Sequence, residues 1–123
     1  QVTQNFTLTG VASGTYDLVV TKPGHLTYTI TGVKVESGNV ALTADTSKVY
    51  STITLLAGNM DGNNAINLQD LNQFRSNFGK AGSSITNSNA DIDGNATVNL
   101  QDLNVFRSNF GKTTTDCTKP YTE

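Results

Sequence analysis

Asn59-Met60-Asp61-Gly62-Asn63-Asn64-Ala65-Ile66-Asn67-Leu68-Gln69-Asp70 returns 32 residues further on as Asp91-Ile92-Asp93-Gly94-Asn95-Ala96-Thr97-Val98-Asn99-Leu100-Gln101-Asp102. Each stretch opens a longer unit, and Asp91–Lys112 repeats Asn59–Lys80 mostly unchanged, which chance does not produce. Counted from the first residue, oxygen-bearing side chains occupy positions 1, 3, 5, 9 and 12: Asn59, Asp61, Asn63, Asn67 and Asp70, then Asp91, Asp93, Asn95, Asn99 and Asp102. Position 7, where a backbone carbonyl serves, is Ala65 and Thr97. This is the spacing by which a twelve-residue loop wraps calcium, a hard cation that takes six to eight oxygens in flexible geometry. Magnesium demands a tighter octahedron. Two Ca²⁺ ions are expected, one per loop; a reading as plain turns does not account for the same spacing twice.

A helix follows each loop. Asn67 and Asn99 are good N-caps, Asp70 and Asp102 stand three residues on as capping-box acids, and Gly79 and Gly111 suit the residue just past a helix end. The predicted helices run over about 68–78 and 100–110. At 100° per residue, Leu71, Phe74 and Phe78 share one face, as do Leu103, Phe106 and Phe110, and both sets are expected in the core. Gln69, Asn72, Gln73 and Ser76 then face outward with Leu68 and Arg75 at the margin. Their counterparts are Gln101, Asn104, Val105 and Ser108, with Leu100 and Arg107. No amphipathic helix precedes either loop, so these are loop–helix (F-hand) units, without the paired helices whose angle a calcium sensor changes.

Residues 1–57 read differently. Phe6-Thr7-Leu8, Tyr16-Asp17-Leu18-Val19-Val20, Leu26-Thr27-Tyr28-Thr29-Ile30 and Val33-Lys34-Val35 alternate in polarity and are broken by Ser13-Gly14, Pro23-Gly24 and Ser37-Gly38, the pattern of short antiparallel strands and turns. Ile53–Leu55 is a candidate last strand. Between the repeats, 81–90 reads as a linker anchored by Ile85. The domain division expected is 1–57 for the strands, 58–112 for the repeats and 113–123 for a tail.

The rest of the chain narrows the function. With 123 residues, 36% hydrophobic content and no tryptophan, the core is modest and a large multidomain enzyme is excluded. A net charge of −2 gives no electrostatic reason for nucleic acid or an anionic membrane as partner. No apolar run approaches a membrane span and no basic-then-apolar leader opens the sequence, so a soluble chain without membrane insertion is expected. Cys117 is the only cysteine and His25 the only histidine, which excludes an internal disulfide, cysteine-based zinc sites and His-pair metal sites. No nucleophile–base pair stands out, and His25, after Lys22-Pro23-Gly24, is expected in a solvent-facing turn.

Two calcium loop–helix repeats joined by a short linker resemble a dockerin, the module that plugs into cohesins in cellulosomes and related extracellular assemblies; the likeness covers about 59–112. The preceding stretch, Phe6-Thr7-Leu8-Thr9-Gly10-Val11-Ala12-Ser13-Gly14-Thr15-Tyr16-Asp17-Leu18-Val19-Val20-Thr21-Lys22-Pro23-Gly24-His25-Leu26, is similar to part of a carboxypeptidase-regulatory-like β-sandwich and of the X-module that often precedes a dockerin. Such sandwiches carry further strands before the one at Phe6, so the sandwich here is expected to be incomplete. Together these likenesses imply a fold class: a small antiparallel, Ig-like β-sandwich followed by an all-α dockerin. They imply a non-catalytic, extracellular module that binds a cohesin of a scaffold or cell-surface protein; the rival reading is a calcium-stabilised structural spacer. In dockerins, loop positions 10 and 11 and the exposed helix face read the cohesin. The contacts so implied are Leu68, Gln69, Asn72, Arg75 and Ser76, with Leu100, Gln101, Asn104, Arg107 and Ser108. Three positions depart from the family pattern: Asn59 replaces the usual aspartate at position 1, and Asn64 and Ala96 stand where position 6 normally has glycine.

Overall fold

The computed structural model describes residues 3–123. Three strands, β1 (Gly14–Val20), β2 (Tyr28–Val35) and β3 (Thr118–Pro120), form one sheet in the order β1-β2-β3. β1 pairs antiparallel with β2, whereas β3 runs parallel to it, Thr29 opposite Thr118 and Thr31 opposite Pro120. Leu26–Ile30 and Val33–Val35, read from sequence as separate strands, overlap one continuous β2 with an irregularity inside it. Between the pairs Tyr16–Val33 and Leu18–Ile30 one residue of β1 faces two of β2, and Gly32 takes φ 71° there. The Gly32 N–H donates to Asp17 Oδ1 at 2.9 Å, which fixes this bulge. Inward alternation, Tyr28 then Ile30, consequently resumes at Val33.

Helices α1 (Leu68–Asn77) and α2 (Leu100–Asn109) have ten residues each and both carry the predicted capping boxes. They are related by a pseudo-two-fold, because each loop exit pairs with the turn after the other helix. Ile66 N–H donates to Lys112 O and Gly111 N–H to Ile66 O; Val98 N–H donates to Lys80 O and Gly79 N–H to Val98 O. Between the helices Phe74 and Phe106 stack with centroids 5.4 Å apart. Phe78 and Phe110 are not core residues: each is 48% exposed. They fall one residue past the helix, at extended dihedrals, so the helical wheel no longer describes where they point.

The expected fold class does not hold. Among the described residues the chain has a single three-stranded sheet of mixed direction and two short α-helices, in place of an Ig-like antiparallel sandwich followed by an all-α dockerin. Phe6-Thr7-Leu8 and Ile53–Leu55 form no strand, and Phe6 and Leu8 lie exposed with no sheet face to cover. The place beside β2 is taken by the tail, whose Pro120 is tolerated in an edge strand because no neighbour needs its N–H. Sheet and repeats then share one apolar cluster: Leu26, Tyr28, Ile30 and Val33 join Ile66, Phe74, Val98 and Phe106, with Cys117 from the tail. The junction is close. Gly24 O accepts N–H bonds from Gly58 and Asn59, and a Cβ on Gly24, at φ 75°, would meet the Asn89 side chain at 2.9 Å. His25, expected in solvent, is half-buried at this junction, bridged to Ala57.

Candidate metal loops and binding face

Each loop is closed by its last residue. The Asp102 carboxylate is fully buried; Oδ1 accepts N–H bonds from Ile92 (2.7 Å) and Asp93 (3.1 Å), and Oδ2 accepts one from Asn99 (2.9 Å). Asp70 repeats this with Met60 (2.7 Å), Asp61 (3.2 Å) and Asn67 (2.8 Å). One side chain therefore caps the helix and draws the loop's start onto it. Position 5 folds the middle of each loop: Asn63 Oδ1 accepts the Ala65 N–H and Asn95 Oδ1 the Thr97 N–H, at 3.0 and 2.9 Å. At position 9, Asn67 and Asn99 accept N–H bonds from Gln69 and Gln101, as N-caps.

Carboxylate oxygens of Asp91, Asp93 and Asp102 lie within 4.8 Å of one another. Three negative groups at that distance repel unless a cation lies among them, and the donors are hard oxygens, the chemistry calcium selects. The second loop thus suits such an ion. Its backbone is also shaped as a glycine would allow, because Ala96 at position 6 takes φ 68°, the only positive φ at a non-glycine among the described residues. The first loop has two carboxylates, Asp61 and Asp70. Its position-1 residue, Asn59, is buried; Nδ2 donates to Asn63 O at 2.7 Å, and Oδ1 has no hydrogen-bond partner among the described residues.

Two residues escaped the sequence reading. Buried Asn77 accepts N–H bonds from Thr86 and Asn87 on Oδ1, pinning the approach to the second loop, and Asn109 donates from Nδ2 to Ala57 O at 2.9 Å, before the first loop. The available signal was a repeated asparagine in the last turn of each helix, a place where its propensity argues against it.

Leu68, Gln69, Asn72, Arg75 and Ser76 are all exposed, as are Leu100, Gln101, Asn104, Arg107 and Ser108, so the structure lays out two matching surfaces. Gln73 is not equivalent to its neighbours, since its Oε1 accepts from Asn87 Nδ2 at 2.8 Å.

Paired loop–helix repeats docked on a small sheet define the class of the molecule. No protein-family model matches the sequence, and no curated protein does. Solved structures do. Chains in a C-terminal and an N-terminal interface mutant of the type II cohesin–X-dockerin complex from Acetivibrio cellulolyticus superpose with TM-scores of 0.70 and 0.68, each at 26% identity. The matches cover 88% and 86% of this chain and 69% and 68% of those. In structure as in sequence motif, the chain resembles the X-module and dockerin pair.

Proposed function

We propose that this chain is a non-catalytic, calcium-dependent interaction module that binds a cohesin and so attaches its parent protein to an extracellular, cellulosome-like assembly, secreted or at the cell surface. The observation that carries this reading is the duplicated outward face, Leu68-Gln69, Asn72, Arg75 and Ser76 against Leu100-Gln101, Asn104, Arg107 and Ser108, which internal packing does not require. One Ca²⁺ in each loop would neutralise the clustered carboxylates and supply the folding free energy that a small core lacks. The ligands are Asn59, Asp61, Asn63, Asn67 and Asp70 with the Ala65 carbonyl, and Asp91, Asp93, Asn95, Asn99 and Asp102 with the Thr97 carbonyl. Asp70 and Asp102 also hold the helix starts, so loop closure and helix orientation are one event. The residue division is 1–57 for the X-module-like part, 58–112 for the dockerin and 113–123 for the tail.

Because the two helix faces are related by a pseudo-two-fold, a cohesin can dock in two poses about half a turn apart, each led by one helix. A pull-down against a panel of cohesins, with and without chelator, tests the assignment; a calcium-stabilised spacer would keep its fold in calcium and retain none of them. Affinities of Leu68→Ala/Arg75→Ala, of Leu100→Ala/Arg107→Ala and of all four together then test the poses. Each pair alone should leave substantial binding and the quadruple variant none. Loss of all binding from one pair with no effect of the other would leave a single pose.

A further inference from the structure

The two loops are not conformational copies, and the difference begins at position 1. In the second loop, Asp91 accepts N–H bonds from Asn95 (3.1 Å) and Ala96 (2.8 Å). In the first, Asn59 instead donates from Nδ2 to the Asn63 carbonyl. The C=O and N–H of a planar trans peptide point in opposite directions. The Asn63–Asn64 peptide therefore lies turned over relative to the Asn95–Ala96 peptide, presenting its carbonyl to the position-1 side chain where the second loop presents an N–H. The dihedrals agree, since Ala96 has φ 68° and Asn64 is not in the positive-φ region. The cause is chemical: a carboxylate only accepts, whereas a carboxamide has two donor hydrogens to place.

Asn59 is also poorly placed to move away. It is 4% exposed, its N–H donates to Gly24 O at 3.0 Å, and its Nδ2 lies 3.5 Å from the His25 carbonyl. Its Oδ1 is a buried oxygen without a partner among the described residues, an arrangement that a cation would relieve. Resting on the calcium reading above, we infer that Asn59 holds the first loop in a closed form: cation entry there requires the Asn63–Asn64 peptide to turn over, so the first loop fills second, more weakly and more slowly than the second loop. Asn59 is a positioning residue in this step as well as a ligand, and it ties the loop's occupancy to the sheet through Gly24 and His25.

The test is a calcium titration of the full chain followed by amide NMR, with Gly62 and Gly94 reporting the two loops separately, and by stopped-flow uptake. The wild type should show Gly94 responding at lower calcium than Gly62, with two uptake phases. Asn59→Asp should raise first-loop affinity about tenfold or more through its added carboxylate and remove the slow phase. Asn64→Gly adds no charge but permits positive φ at no steric cost, and should raise first-loop affinity about two- to fivefold and speed the slow phase. An Asn64→Gly variant with unchanged affinity and kinetics overturns the inference, even if Asn59→Asp binds more tightly, since charge alone would then explain the difference. Coincident midpoints for the two loops in the wild type also overturn it while leaving calcium binding intact. No calcium response at either glycine overturns this inference and the calcium reading together.

Discussion

Replacing Asp102 by asparagine should destabilise the fold far more than replacing Asp93, although each change removes one charge from the same candidate cation site. Asparagine is nearly isosteric, so the buried space stays filled and the loss is one of hydrogen bonding. Asp102 accepts three backbone N–H bonds with its two oxygens. A carboxamide would keep its oxygen towards Ile92 and Asp93 and turn its NH₂ towards the Asn99 N–H, facing a donor with a donor. Losing that charge-assisted bond costs about 1.5–3 kcal/mol, and weakening the other two to neutral bonds costs about 1–2 kcal/mol more. The total is about 2.5–5 kcal/mol, a large part of a small domain's stability. Asp93 is exposed and accepts only from the neighbouring Asn95, so its change to asparagine should cost about 1 kcal/mol or less from the protein's own bonds. Urea unfolding of both variants in saturating calcium gives the comparison, each variant also losing one carboxylate's attraction to the ion. Equal destabilisation would refute the argument that Asp102 clamps the backbone in addition to lining the candidate cation site.

Thorough chelation should unfold the repeats and calcium restore them; helical circular dichroism and a melting temperature that ignore chelator would exclude metal-driven folding. Tyr121→Ala should lower stability by about 1–3 kcal/mol, because the half-buried Tyr121 ring stacks on Tyr50 at 5.5 Å while its backbone N–H bond to Thr31 O is kept; an unchanged urea midpoint would show that the ring does not help hold the tail on the sheet. His25 titrates below its ordinary value, chiefly because burial disfavours the imidazolium, with Lys22 adding to the effect and the hydrogen bond to the Pro23 carbonyl opposing it. The unfolded chain thus binds the proton more readily, so this part of the stability is complete above about pH 6.5 and is lost as pH falls through the depressed folded value. His25→Gln should lose less stability than the wild type on acidification from pH 7 to 5, and parallel curves would show that the group contributes nothing.

What could be read in advance is what is local. The capping boxes are encoded by residues a few positions apart, and Asn67–Asp70 and Asn99–Asp102 realise them without reference to the rest of the chain. The sheet was misread because its last strand comes from the other end of the sequence: nothing in Thr118-Lys119-Pro120 signals that it will lie parallel to β2. Phe78 shows a finer limit, since one residue past the helix end the 100° rule assigns a side chain to a face that no longer exists. The conformation of the first loop depends on which hydrogen-bonding groups a carboxamide can reach when buried against Gly24 and His25. The substitution at Asn59 is visible in the sequence, but the peptide it turns over is not.

The parallel pairing of β3 with β2 also bears on synthesis. A ribosome releases residues in order, so Asn59–Lys112 emerges before Thr118–Pro120, and β2 must wait for that last segment before its second edge is covered. Until then that edge is open to other chains, and closing it joins segments far apart in sequence, a slow kind of contact. Stalled or truncated nascent chains should therefore carry both repeats beside an unfinished, adhesive sheet.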